Sequence, residues 1–316
     1  MEGPTPQSPS AFGFRTILYE KRPPTARVVI NRPHVLNALN FETLREMARA
    51  FEDASWDDAI AVVVLTGAGD RAFSTGADLH EQQAFVRRPQ DYWKWMGAFV
   101  EAQERLQRIG KPTVARLNGM VVGGGNEFNL ACDLAVAADD ISIRHVGPAR
   151  GSVPAAGATQ WLPLIVGDRR AREILFLCED ISAQQALAWG LVNEVVPRAR
   201  LDAAVDTLVQ KLAHKLPEVT RYTKQQLNFW RELSWHLTIG HAREWLALHA
   251  GAPETQEGLD AFFAKRPVDY DGIRRRLATG QSASHAWGPP VRTCPACGAV
   301  HLPEGFTFCG NCGHTL

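Results

Sequence analysis

The chain of 316 residues has no net charge, no long apolar run and few cysteines outside its last part. Lys plus Arg and Asp plus Glu both number 34, so no global field attracts nucleic acid or an anionic membrane, and we expect neither as a partner. The start MEGPTPQSPSAFGF lacks the basic and apolar regions of a signal peptide, and no apolar run approaches the roughly 20 residues of a membrane span. With 45% hydrophobic residues, the sequence predicts a cytoplasmic protein with a sizeable core.

Four of the six cysteines crowd into the tail CPACGAVHLPEGFTFCGNCGHTL as two CxxC pairs, each followed by glycine. Each pair can turn two thiolates onto one ion, and tetrahedral zinc takes four such ligands. A reducing compartment disfavours two disulfides, and the doubled pair disfavours a redox CxxC motif. We therefore expect one structural zinc bound by Cys294, Cys297, Cys309 and Cys312. The other two, Cys132 and Cys178, lie in apolar stretches and are expected to pack as small hydrophobic residues.

Composition divides the chain into a disordered tail (1–13), a main body (14–272), a polar linker (273–292) and a zinc ribbon (293–316). The ribbon is too short for a core of its own, so metal binding would supply most of its folding free energy. The ribbon is expected either to contact a protein partner or to pack against the main body as a structural element.

The main body alternates strand and helix signals. The β-branched runs RVVINR (27–32) and AIAVVVLTGAG (59–69) predict buried strands, and residues 40–57 between them show helical spacing. Strand signals recur in PTVARLNGMVVGGG and DLAVAADD, and from about residue 168 the pattern is helical. The predicted class is α/β.

Two glycine-containing turns stand between a strand and a helix, in AFSTGADLHEQ (72–82) and NGMVVGGGNEF (118–128). Unpaired backbone N–H groups at such a helix start can point at an anion, although neither stretch fits a known phosphate-binding fingerprint. Each turn alone could equally be structural. Glu127 follows the second turn among apolar residues, where it could be a helix-capping carboxylate or a catalytic group.

The ordered series INRPHVLNALNFETLREM, VVVLTGAGDRAFSTGADLHE, KPTVARLNGMVVGGGNEFNLACDLAVAADD and ISAQQALAWGLVNEVVP resembles the crotonase, or enoyl-CoA hydratase/isomerase, superfamily over about residues 14–270. The resemblance implies a spiral of ββα turns with a helical C-terminal trimerisation region. It also implies an acyl-CoA substrate and a homo-oligomer, either a trimer or a dimer of trimers.

The resemblance assigns roles to individual residues. The backbone N–H groups of Ala77 and Gly124 match the oxyanion hole for the thioester oxygen, and Glu127 matches the first of two catalytic glutamates. Phe262 and Lys265 match positions that reach CoA from a neighbouring subunit. The remaining residues implied in CoA or substrate binding are His34, where many relatives have lysine, together with Val35, Thr75, Asp78, Gly147 and Ser152.

The second catalytic glutamate is missing, because Gly147 stands at its position. The segment GPARGS resembles the dihydroxynaphthoyl-CoA synthases and the 6-oxocyclohexenecarbonyl-CoA hydrolases, but Ala155 replaces the aspartate that those relatives carry. A single Glu127 could serve as base and then as acid if other groups hold the water. Ser152 and His145 are the candidates for that help, and each could also be structural.

The function that these features predict is an enoyl-CoA hydratase for a bulky, cyclic or aromatic acyl group. The aromatic residues after the first turn, Tyr92, Trp93, Trp95 and Phe99, could wall the acyl pocket or pack as ordinary core. The alternatives are a ring-opening C–C hydrolase of a cyclic oxoacyl-CoA and an enoyl-CoA isomerase. A non-enzymatic scaffold protein that uses its zinc ribbon also stays open.

Overall fold

The computed structural model describes residues 5–85, 88–280, 291–300 and 302–316. The strands are β1 (Ile17–Arg22), β2 (Thr25–Ile30), β3 (Val62–Gly67), β4 (Ala72–Ser74), β5 (Thr113–Leu117), β6 (Met120–Val122), β7 (Leu134–Ala138), β8 (Ser142–Arg144), β9 (Ile181–Ser182), β10 (Glu194–Val196), β11 (Val291–Arg292) and β12 (Leu302–Pro303). The helices are α1 (Phe41–Trp56), α2 (Leu79–Phe85), α3 (Pro89–Gln107), α4 (Gly124–Ala131), α5 (Gly147–Arg150), α6 (Leu162–Val166), α7 (Asp168–Leu177), α8 (Ala183–Ala188), α9 (Leu201–Ala213), α10 (Pro217–His249), α11 (Pro253–Phe263) and α12 (Tyr270–Ala278).

Two sheets form the main body. The larger has the order β1-β2-β3-β5-β7-β10 and is parallel except for the β1–β2 hairpin, and the smaller has the order β4-β6-β8-β9. The chain passes from β3 to β4, from β5 to β6 and from β7 to β8, each time from the larger sheet to the smaller and then into a helix. This repeated passage is the predicted ββα spiral, and the α/β fold class is confirmed.

Local sequence signals explain the elements of the first turn of the spiral. Every residue of β3 is buried, as its β-branched run predicts for a strand covered on both faces. Helix α1 begins where the side chain of Asn40 accepts a hydrogen bond from the backbone N–H of Thr43. The core face of α1 includes Leu44, Met47 and Phe51, which are fully buried at helical spacing.

The smaller sheet positions the functional turns. Its strands β4, β6 and β8 are parallel neighbours, so their carboxyl ends lie side by side at one edge. The turn after β4 contains Ala77, the turn after β6 contains Gly124, and His145 directly follows β8. Ligands of open α/β sheets bind at such carboxyl ends, so this edge is the expected place for a site.

Within the residues that the structure describes, ordered elements extend beyond the predicted main body at both of its ends. In the segment 5–13, expected as tail, a 3-10 turn spans Pro9–Phe12, and the Phe12 ring stacks on Phe14 at 4.9 Å. The expected boundary at 272 falls inside α12, because Asp269 caps this helix and it continues to Ala278. Residues 281–290 of the expected linker and residues 1–4 of the tail lie outside the described ranges.

Helix α10 is 33 residues long and carries an exposed apolar face. None of the helices in the described ranges combines the length and apolar content that a membrane span requires. The exposed apolar residues of α10 are Val219, Tyr222, Leu227, Phe229, Trp230, Leu233, Leu237, Trp245 and Leu248.

Candidate active site

A cavity of about 170 Å³ opens at the shared carboxyl edge of β4, β6 and β8. Its lining comes from the three turns, from the segment 146–156 that follows β8, from α3, and from the end of α10 together with α11. The residues from the turns are Thr75, Ala77, Gly123, Gly124, Glu127 and His145, and those from α10 and α11 include Leu246, His249, Ala250, Thr255 and Leu259.

The two predicted anion-binding turns meet at Gly76 and Gly124. Gly76 has a φ of +81°, and a Cβ on it would lie 2.8 Å from the backbone nitrogen of Gly124. Ser74 fixes the first turn, because its Oγ accepts from the N–H of Gly76 and donates to the carbonyl of Asn37. Only glycine at position 76 therefore allows this approach.

The backbone N–H groups of Ala77 and Gly124 have no acceptor within the described part of the chain. Gly124 is the first residue of α4, where the helix leaves its N–H unpaired. Both residues line the cavity. Two such donors can stabilise one oxygen that gains negative charge, as in an oxyanion hole.

Glu127 is the acidic residue of the cavity wall and lies in the first turn of α4. Its side chain is buried, and Oε1 accepts a hydrogen bond of 3.1 Å from the backbone N–H of Ala155. Burial raises the pKa of Glu127 well above its usual value, and the backbone N–H groups of Ala155 and Ala158 only partly oppose this shift. A buried carboxyl that holds its proton more tightly than a free glutamate suits the role of a general acid or base.

Most of the aromatic residues after the first turn face the cavity. Tyr92, Trp95 and Phe99 lie on α3 and line its wall, whereas Trp93 is exposed and lies under the guanidinium of Arg243. Burial and the nearby carboxylate of Glu127 raise the pKa of Tyr92, so its phenol stays neutral. The α3 wall therefore combines flat apolar surfaces with one hydroxyl.

His145 and Ser152, the two candidates for holding a water, both line the cavity. The ring of His145 is buried, and its Nε2 lies 2.9 Å from Nδ2 of Asn126. Burial lowers the pKa of His145 to about 4, so the imidazole is neutral near pH 7. The backbone N–H of Ser152 donates to the carbonyl of Gly147, which holds the loop that closes this side of the cavity.

Among the residues expected to contact substrate or CoA, Thr75, Gly147 and Ser152 line the cavity. His34 and Val35 lie in the 3-10 helix Pro33–Val35 outside the cavity, next to Leu36, whose carbonyl accepts from the N–H of Thr75. Asp78 is also outside the cavity lining. Its carboxylate contacts Arg32 at 2.8 Å and accepts from the N–H of His80, so it serves the local structure of the first turn.

Helix α11, which leads to Phe262 and Lys265, contributes to the cavity of its own chain. Thr255 Oγ1 donates to the carbonyl of Gly151 at 2.7 Å, and Leu259 lines the cavity. At the other end of α11, the ring of Phe263 lies 5.0 Å from that of His80. Phe262 is exposed, neither Phe262 nor Lys265 lines the cavity of its own chain, and their contact with CoA in a neighbouring subunit stays a prediction.

The loop around Gly147 explains why the cavity has one glutamate. A Cβ at position 147 would lie 2.5 Å from the carbonyl oxygen of Ser152 and 2.9 Å from Cδ of Pro154. Ala155 contributes only its backbone N–H, which donates to Glu127. Neither position can supply a second carboxylate in this loop conformation.

The four cysteines of the tail form a second, separate site. Their sulfurs all lie within 4.8 Å of one another, and the pairs Cys294–Cys312 and Cys297–Cys309 are 3.7 and 3.6 Å apart. Zinc bonded to sulfur at about 2.3 Å places tetrahedral ligands roughly 3.8 Å apart, so the donor set fits this ion. The cluster could bind a metal. Strands β11 and β12 pair beside it.

Comparison with known proteins gives consistent matches over the main body. Residues 21–274 match the family model described as Enoyl-CoA hydratase/isomerase. An enoyl-CoA hydratase from Mycobacterium avium subsp. paratuberculosis K-10 has a TM-score of 0.74 and 26% identity, and the match covers 81% of this chain and 98% of that one. An enoyl-CoA hydratase/isomerase from Xanthobacter autotrophicus Py2 has a TM-score of 0.73 and 30% identity, over 84% of this chain and 97% of that one.

A third similar structure is a monofunctional enoyl CoA isomerase from M. smegmatis. Its TM-score is 0.60 and its identity is 28%, over 71% of this chain and 99% of that chain. The tail with the cysteine cluster lies beyond the residues that the family model matches.

The loop geometry predicts that a glutamate at position 147 would clash with its neighbours. We expect Gly147→Glu to lower the free energy of unfolding by about 1–3 kcal/mol, because the side chain overpacks the loop against Ser152 and Pro154. Urea unfolding at fixed protein concentration measures this change. Pro148→Glu adds the same carboxylate to an exposed neighbour and should stay within about 0.5 kcal/mol of the wild type. A Gly147→Glu protein as stable as the wild type would contradict the packing argument.

The raised pKa of Glu127 predicts a pH-dependent stability. The folded protein holds this proton more tightly than the unfolded chain, so the stabilisation is present below the unfolded pKa and is lost as pH rises through the folded pKa. Glu127→Gln should therefore gain in melting temperature relative to the wild type as pH rises from about 5 to 8. Glu218→Gln, on an exposed site, leaves the buried charge in place and should not reproduce this trend. A constant difference across the pH range would mean that Glu127 is not held as described.

Proposed function

The chain belongs to the enoyl-CoA hydratase/isomerase family, and on that premise we propose that it hydrates an enoyl-CoA that carries a ring in its acyl group. One observation carries the proposal: a single buried carboxyl, Glu127, shares an aromatic-walled cavity with two unpaired backbone N–H groups. Hydration and isomerisation of enoyl thioesters both need this combination, because both pass through a charge on the thioester oxygen.

In the proposed reaction, the N–H groups of Ala77 and Gly124 bind the thioester oxygen. The Glu127 carboxylate takes a proton from water as the water oxygen bonds to Cβ, and the electron pair of the double bond moves to the thioester oxygen as an enolate. Glu127 then returns the proton to Cα, which restores the carboxylate and completes the addition of one water. Each preorganised donor is expected to lower the barrier by about 3 kcal/mol.

The preference for a ring rests on the shape of the cavity. Its volume of about 170 Å³ is close to the engineered cavity of about 150 Å³ that accommodates benzene. Trp95 and Phe99, whose ring centroids lie 5.4 Å apart, supply flat walls, and the flexible side chain of Met96 also lines the cavity. A six-membered ring attached to the enoyl carbons would fill this space, whereas a short linear acyl group would leave part of it empty.

An isomerase is the second candidate, and the single carboxylate favours it. Moving a double bond requires one base that removes a proton from one carbon and returns it to another, with no water. Glu127 and the two N–H groups would suffice, and one similar structure is described as an isomerase. The ring-opening hydrolase is less well supported, because Ala155 supplies no carboxylate to activate water at a ketone.

We further propose a homo-oligomer, either a trimer or a dimer of trimers. The apolar face of α10 is too extensive to leave in water, and a second copy of this helix region would cover it. We also propose that the tail cysteines bind zinc as a structural ion. All four ligand positions of a tetrahedron would be occupied, which leaves none for a substrate.

The reaction is tested with cinnamoyl-CoA and cyclohexene-1-carbonyl-CoA, beside the linear crotonyl-CoA. We expect product NMR to show water added across the double bond of a ring-bearing thioester. Glu127→Gln should lower kcat by about 10²–10⁴ and leave the Kd of the thioester within a few-fold, because proton transfer is lost while the cavity is kept. Glu218→Gln is the matched control on the surface. A shifted double bond without water gain would support the isomerase, and an active Gln variant would contradict the role of Glu127.

The tail should be separable from the catalytic body. We expect about one zinc per chain by elemental analysis, lost in Cys297→Ser and kept in Cys178→Ser. A protein without residues 281–316 should lose the zinc, keep its oligomeric state and retain most of its kcat. Loss of turnover in an intact oligomer would show that the ribbon is part of the working site.

A further inference from the structure

One carboxylate can take a proton from the water and later return it to Cα, but it supplies only one of the hydrogen bonds that orient this water. This matters for the proposed hydration, on which the following inference rests. A water that loses a proton to Glu127 must also be aimed at Cβ, and a further hydrogen bond to its oxygen would fix that aim.

His145 occupies the right element of the fold. It directly follows β8, and β8 pairs in parallel with β6, the strand that leads into the turn of Gly124. The N–H of Gly123 donates to the carbonyl of Arg144, which places His145 beside the oxyanion turn. The imidazole is 2% exposed and lines the same cavity as Glu127.

The hydrogen bonds of two asparagines of α4 assign the proton of His145 to one ring nitrogen. Asn129 Nδ2 donates to Oδ1 of Asn126 at 3.1 Å, which orients the Asn126 amide. Asn126 then presents Nδ2 to Nε2 of His145 at 2.9 Å, so Nε2 accepts and the proton lies on Nδ1. Within the described part of the chain, Nδ1 has no hydrogen-bond partner, although the side chain is almost completely buried.

We propose that His145 is a fixed hydrogen-bond donor, through Nδ1–H, to the oxygen on Cβ of the acyl group: the attacking water before the reaction and the hydroxyl of the product after it. The water oxygen accepts from His145 while one of its hydrogens points to Glu127. His145 neither takes nor gives a proton. Its neutral state agrees with this, because burial lowers the pKa to about 4 and a neutral imidazole donates without attracting the Glu127 charge.

This role predicts a preference for one class of ligand. A thioester with an oxygen on Cβ should bind more tightly than the same thioester without it. The matched probes are 3-hydroxy-3-phenylpropanoyl-CoA and 3-phenylpropanoyl-CoA, which differ by one hydroxyl.

The first measurement uses the wild-type protein with ¹⁵N-labelled histidine. His145→Phe identifies the signal of His145, because that signal disappears in the variant. We expect the neutral tautomer with the proton on Nδ1 at pH near 7, and a shift of this N–H signal on adding the hydroxy thioester but not the deoxy thioester. A proton on Nε2, or a charged ring, would overturn the proposal.

The second measurement compares affinities and turnover. His145→Phe should lose about 10-fold in affinity for the hydroxy thioester and about 10- to 100-fold in kcat, while its Kd for the deoxy thioester stays within about three-fold. His145→Gln, whose amide can accept from Asn126 and donate into the cavity, should recover most of both losses. A merely structural histidine would change both Kd values equally, which would contradict the proposal.

The two hypotheses fail in different ways. If neither thioester binds the wild type, the proposed acyl-CoA function is wrong. If both bind with equal affinity and the His145 signal does not move, acyl-CoA binding stands and only the role of His145 is wrong.

Discussion

The close contact between Gly76 and Gly124 is the constraint on which the rest of the site depends. Two backbone N–H groups can serve one oxygen only if no side chain separates their turns, and a Cβ at position 76 would lie 2.8 Å from the nitrogen of Gly124. The parallel pairing of β4 with β6 holds the two turns at the same edge. Helix α4 then begins at that point, so its unpaired N–H and its positive end both face the cavity.

Burial gives each polar group of the cavity a distinct chemical state. The same loss of water raises the pKa of Glu127 and lowers that of His145, so one group exchanges protons and the other stays a neutral donor. Tyr92 keeps its proton for the same reason. A second carboxylate would disturb this division, because like charges in one dry cavity raise each other's pKa. The loop at Gly147 has no room for one.

Elements distant in the sequence complete this arrangement. The loop that contains Ala155 and Ala158 supplies backbone donors to Glu127, and Leu259 of α11 lines the cavity of the same chain. The cavity therefore depends on the C-terminal helices of its own chain. The cysteine cluster contributes nothing to its lining within the described residues, which agrees with a ribbon that is separable from the reaction.

The sequence alone determined the features that local patterns encode. Buried β-branched runs, helix caps and glycine turns predict the α/β fold, the two anion-binding turns and the four clustered cysteines, because each depends on neighbours within a few residues. It also located Glu127. Only the tertiary structure decided what those groups meet: that α11 lies on its own cavity, that Asp78 contacts Arg32 rather than the cavity, and that position 147 has no space for a side chain. The protonation state of His145 could not be predicted from its sequence neighbours either. It depends on burial and on Asn126, which lies 19 residues away in the chain and is brought close by the pairing of β6 and β8.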